Sequence, residues 1–127
     1  MDKKLEWVIL VTDKFEESRQ FYKDVLGLKI VREAAKEEFV QFKMSNCYLA
    51  IYGRKEVQKL VGKIYIKKPS SAIYTFGEVE DVDKEYERLK GKGVKFIKKP
   101  ATQLWGQRTA YYNDPDGHIW EIQKWTN

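Results

Sequence analysis

The step from an apolar strand into a capped helix occurs twice in this chain, as Val11-Thr12-Asp13 and as Val79-Glu80-Asp81, an offset of 79 − 11 = 68 residues. That recurrence restricts the fold more than any single residue does. In the first copy, residues 5–11 alternate as a strand, and Asp13 with Glu16 has the spacing of a capping box. Phe15, Phe21, Tyr22, Val25 and Leu26 then recur at helical spacing, and Gly27 supplies a stop. Three more strands follow at residues 28–32, 38–44 and 48–52, the last two joined around Ser45 and Asn46. The second copy repeats this order. It has a strand at 73–79, a helix capped by Asp81 and ended by Gly91 and Gly93, and strands at 94–97, 108–112 and 119–125. Asn113-Asp114-Pro115-Asp116-Gly117 reads as the tight turn between the last two strands.

The pattern predicts an α+β fold of two βαβββ modules in one domain, about residues 1–53 and 71–127, with a linker over 54–70. A four-stranded sheet with a helix on one face leaves the other face open. Two such sheets can curl into a half-open barrel whose inner surface is a ligand groove. Strand parity sets Glu6, Val8 and Leu10 against Trp7, Ile9 and Val11, and Ile119, Glu121 and Gln123 against Trp120 and Ile122. Placing Trp7 and Trp120 under the helices as core anchors sends Glu6 and Glu121 to the groove.

Composition removes several classes of function. The chain is 43% hydrophobic, 34% charged and 14% aromatic, the profile of a folded soluble domain. Its apolar N-terminal run is too short to span a membrane or serve as a signal peptide, and the single cysteine, Cys47, cannot pair within the chain. A cytoplasmic protein is expected. The net charge of +5 is concentrated in Arg54, Lys55, Lys59, Lys63, Lys67 and Lys68. No nucleic-acid reading motif accompanies that tract, so a solvated loop or short helix is expected and nucleic-acid association is the disfavoured alternative.

Three motifs in order, Ser18-Arg19-Gln20-Phe21-Tyr22-Lys23-Asp24-Val25-Leu26-Gly27-Leu28, Val79-Glu80-Asp81-Val82-Asp83, and Trp105-Gly106 followed by Asp114-Pro115-Asp116-Gly117-His118, resemble the vicinal oxygen chelate superfamily. That group includes glyoxalase I, extradiol dioxygenases, and fosfomycin and bleomycin resistance proteins. The resemblance covers essentially the whole chain and implies the paired-module fold, commonly as a homodimer. It does not imply one activity. In metal-using members the ligands come from the first and last strands of each module. Carried over by position, they fall at Glu6 and near Ala50 in the first module, and at Tyr74 and Glu121 in the second. Ala50 has no donor and Tyr74 is a poor ligand, so no metal or other cofactor is expected, with Glu6 and Glu121 as residual candidates for a divalent ion. His118 reads as a turn residue, because three residues of extended strand separate it from Glu121 and set it on the opposite face.

The resemblance to the metal-free bleomycin resistance branch implies a small-molecule-binding protein that holds a cationic or aromatic ligand. The candidate groove residues are Glu6, Tyr48, Tyr52, Tyr74, Trp105, Arg108 and Glu121, the carboxylates as electrostatic anchors and the aromatics as stacking walls. The competing readings are that Glu6 and Glu121 ion-pair with Arg108 or a lysine, or that the chain is a lyase, isomerase or dioxygenase with a degenerate metal site. Cys47 and Ser18 are assigned to packing.

Overall fold

The computed structural model describes residues 3, 5–62 and 72–126. The chain forms two compact units, Met1–Pro69 and Ser70–Asn127. In the first, β1 (Trp7–Thr12), α1 (Phe15–Gln20), β2 (Lys29–Ala34), β3 (Phe39–Lys43), β4 (Tyr48–Gly53) and α2 (Arg54–Val61) follow in order. In the second, β5 (Ile73–Thr75), α3 (Val82–Gly91), β6 (Lys95–Thr102), β7 (Gln107–Asn113) and β8 (Ile119–Trp125) repeat the plan without a terminal helix. The sheet orders are β1-β4-β3-β2 and β5-β8-β7-β6, so each unit pairs its first strand with its last. That pairing is parallel in both units, and the remaining pairs are antiparallel. The internal duplication read from the sequence is therefore a duplication of topology. Even the edge pairings match: β2/β3 shifts register between Ile30 and Arg32, and β6/β7 between Phe96 and Lys98.

Each unit buries one sheet face under its own helix. In the first, Leu10, Val40, Phe42, Leu49 and Ile51 are all 2% exposed or less. Tyr22 follows α1 in a wider turn, Phe21–Val25, and its ring lies 6.0 Å from that of Phe42. Phe15, Ser18 and Tyr22 stand three and four residues apart, the helical spacing of a single face, and all three are buried. The expected capping box at Asp13 does not form. Lys14 is the cap residue, its amide bonds Thr12 Oγ1 at 2.9 Å, and Asp13 instead pairs with Arg54 of α2 at 2.6 Å. In the second unit the expectation holds, with Asp81 accepting the Lys84 amide at 3.1 Å.

Part of the basic tract taken for a linker is helix α2, where Arg54 and Lys59 are spent on Asp13 and Glu56. Lys63, Lys67 and Lys68 lie outside the described residues. Among the described residues no helix is long and apolar enough to cross a membrane.

The second core is aromatic. Trp120 stacks on Phe76 at 4.5 Å, Phe96 meets Tyr86 of α3 edge-on at 4.6 Å, and Tyr112 lies 5.5 Å from Phe96. Tyr112 is 1% exposed, and burial, reinforced by the charge of Glu85, holds its phenol far above the ordinary tyrosine range. A raised folded-state pKa means that the stability it brings is complete below about pH 10 and drains away as pH rises through that value toward the folded one. The urea midpoint should accordingly decline above about pH 10, and Tyr112→Phe should flatten that decline. A wild-type slope unchanged in Tyr112→Phe would show that another group carries it. Tyr74 and Tyr111 are shifted upward as well, so the slope should shrink rather than vanish.

Candidate functional site

The alternation of β7 and β8 separates a covered face from an open one. Ala110, Tyr112, Trp120 and Ile122 point into the core, which turns Thr109, Tyr111, Glu121 and Gln123 the other way. Register places Tyr111 directly across from Glu121, and the Tyr111 hydroxyl donates to Glu121 Oε2 at 2.7 Å. Among the described residues the carboxylate has no cationic partner. Burial, followed by that hydrogen bond to Glu121, raises the Tyr111 pKa and keeps the phenol protonated as a donor.

The same face continues as a line of neutral hydrogen bonds. Gln107 Nε2 donates to Gln123 Oε1 at 3.0 Å, Trp105 Nε1 donates to Gln107 Oε1 at 2.9 Å, and Gln103 Nε2 donates to Thr109 Oγ1 at 3.0 Å. Backbone bonds from Gln103 to Gln107 and from Thr126 to Gly106 pin the connecting loop. Trp105 thus stands 59% exposed at a defined place, with Trp125 46% exposed on the neighbouring strand end. This face offers one oriented anion, a row of amides and two open indoles.

The helix-free face of the first unit is different. Trp7 and Tyr48 are register partners with rings 5.1 Å apart, Ile9 and Ala50 form the next pair, and Gln41 follows across β3. At one end this face opens into a cavity of about 630 Å³ lined by Glu6, Trp7, Arg32, Gln41, Lys43, Cys47 and Tyr48 among others. Tyr52 lies further along, edge-on to Phe39 at 5.2 Å. Cys47 is half-buried at the cavity, while Ser18 is fully buried with no hydrogen bond to its hydroxyl.

Several sequence-read positions change face. Trp7 lies not under a helix but on the open face with Tyr48, whereas Trp120 is 2% exposed on the covered side as expected. Tyr74 is the register partner of Trp120, 5.4 Å away on the covered side, instead of a wall of the open face. Arg108 also lies on the covered side, where it forms a two-pronged pair with Asp83 of α3 at 2.7 and 2.8 Å. It therefore does not neutralise Glu121. Glu6 precedes β1, is exposed and has the parity of Leu10. The cause of the Tyr74 miss is local: β5 stops at Thr75, and five irregular residues separate it from Asp81, so counting back from Val79 does not preserve parity. The β5 residue opposite Glu121 is Thr75, and the β1 residue opposite Ala50 is Ile9.

Among the described residues few metal donors stand at these positions. Ile9 and Ala50 offer no donor, Tyr74 faces the core, and Glu121 is left with a hydroxyl, a phenol and amides around it. A different group was not anticipated from the sequence: one ligand atom each of Asp114, Asp116 and His118 lies within 4.8 Å of the others, and the three could hold an ion. The alternating D-x-D-x-H spacing was its only signal. Asp114 Oδ1 already accepts the amides of Asp116 and His118 at 3.0 and 2.8 Å, and Gly117 adopts φ +94°, so the cluster closes the β7–β8 turn.

Comparison with known proteins agrees with this architecture. The model of the Glyoxalase/Bleomycin resistance protein/Dioxygenase superfamily matches residues 4–122. The uncharacterized protein YraH of Bacillus subtilis (strain 168) is 34% identical over 95% of this chain and 98% of its own length. Biphenyl-2,3-diol 1,2-dioxygenase 2 of Rhodococcus globerulus is 30% identical over 94% of this chain, which spans only 62% of that enzyme. Among solved structures, a glyoxalase/bleomycin resistance protein/dioxygenase from Nocardioides superposes with a TM-score of 0.85 at 26% identity, covering 100% of this chain and 86% of that one.

Proposed function

This chain belongs to the Glyoxalase/Bleomycin resistance protein/Dioxygenase superfamily, and from that membership we propose that it is a small-molecule-binding protein that recognises a cationic aromatic ligand without a metal. The observation that carries this reading is the Glu121 carboxylate, held at 2.7 Å by Tyr111 with no cation beside it among the described residues. A half-buried anion on a face of neutral amides attracts positive charge more strongly than one in water, because fewer solvent dipoles screen it. Trp105 and Trp125 add indole faces, the best cation–π surfaces among side chains. The cross-strand neighbours of Glu121 support recognition over metal chemistry, since among the described residues they are Thr75 and Tyr111, with no imidazole.

Metal-free bleomycin, titrated against tryptophan fluorescence, should give a saturable change, and Glu121→Gln should weaken binding about tenfold. No saturable change, or equal affinity in the variant, would count against the proposal. Elemental analysis of protein purified without added metal examines the other half. Stoichiometric zinc, iron, nickel or manganese that is lost in Glu121→Ala would replace the binding reading with a metalloenzyme.

A further inference from the structure

The cavity of the first unit has chemistry opposite to that of Glu121. It lies at the end of the sheet where β1 and β4 begin, and its size falls within the range of small-molecule pockets. One wall is the Trp7–Tyr48 pair, with rings 5.1 Å apart and tilted by 40°. Arg32 and Lys43, from β2 and β3, bring two cations to the same cavity, against the single carboxylate of Glu6.

Among the described residues neither Arg32 nor Lys43 has a carboxylate partner. Four of the chain's five arginines are committed to ion pairs: Arg19 with Glu33, Arg54 with Asp13, Arg88 with Glu85 and Arg108 with Asp83. Arg32 is the fifth, and it has no carboxylate partner among the described residues. Lys43 has none there either, and its register partner across β2 is another cation, Lys29. Like charges directly opposite each other destabilise a sheet, and an anion between them relieves that repulsion. Gln41, beside Arg32 in register and 7% exposed, adds an amide to the cavity lining.

We infer that this cavity binds a small planar carboxylate, with Arg32 and Lys43 meeting its charge and the Trp7–Tyr48 pair packing on its ring. A guanidinium matches a carboxylate through two parallel N–H bonds, and an aromatic wall selects a flat body over a compact inorganic anion.

The test uses the full chain and three probes with one ring system: 1-naphthoate, the neutral 1-naphthamide and the cationic 1-naphthylmethylammonium. Calorimetry should show naphthoate binding about tenfold more tightly than the amide, and Arg32→Gln or Lys43→Gln should each remove about that advantage. Both side chains are exposed, and circular dichroism verifies that the variants fold. Cys47, the chain's only cysteine, lines the cavity, so naphthoate should slow its modification by a maleimide. Equal affinity for naphthoate and the amide, or naphthoate affinity unaltered in both cation variants, would each overturn the inference.

Discussion

Trp120→Ala should lower the stability of the chain by about 3–5 kcal/mol, the usual cost of truncating a large buried aromatic. Trp120 is 2% exposed, is stacked on Phe76 at 4.5 Å and lies 5.4 Å from Tyr74. Its removal takes away the common neighbour of two rings on the short strand β5 and the residues after it. With total stabilities of about 5–15 kcal/mol for natural domains, a loss of this size brings the second unit close to unfolding at room temperature. Urea denaturation followed by far-ultraviolet circular dichroism measures it. Trp120→Phe retains most of the packing and should cost less than half as much; equal losses for the two variants would mean that the indole's stacking is not what the site depends on.

Asp114→Ala is the second large effect, and it acts through hydrogen bonds instead of volume. The carboxylate is 4% exposed and accepts the amides of Asp116 and His118, so its loss strands two donors in a turn too buried for water to satisfy them easily. About 2–4 kcal/mol is expected, allowing for partial hydration of Asp116. Asp114→Asn keeps one acceptor oxygen in place and should recover roughly half of that. Because the turn aligns β7 with β8, slippage would also separate Tyr111 from Glu121. Amide exchange at Asp116 and His118 reports the local effect: exchange no faster in Asp114→Ala than in the parent would show that the turn holds without the carboxylate.

Both predictions depend on features that differ in how far the sequence revealed them. The Asn113–Gly117 turn was legible because proline, glycine and Asx residues act locally, and the structure contains the expected Asx hydrogen bonds. Trp120 was legible because β8 is long and regular enough for parity to hold along it. Trp7 and Tyr74 were not. The parity of β1 was read correctly but its two faces were assigned the wrong way round, and β5 has only three residues before its backbone turns irregular, so counting from the V-x-D step lost the phase. Arg108 was invisible for another reason: its partner Asp83 lies 25 residues away on α3, a distance that no periodicity spans.

The candidate sites divide the same way. Glu121 stood out as a carboxylate amid apolar strand residues, but its partner Tyr111 comes from register between β7 and β8. Trp7, Tyr48, Arg32 and Lys43 come from four different strands, and only the sheet order β1-β4-β3-β2 brings them to one cavity.

By itself, the amino-acid sequence determined the duplicated βαβββ plan, the family and the turn that joins the last two strands, because each is written in local spacing and short motifs. Tertiary structure alone decided which strand residues face the helices, and which charges are paired and which have no partner among the described residues. Those outcomes depend on cross-strand register and on side chains brought together from distant positions, and both are settled only when the strands pair.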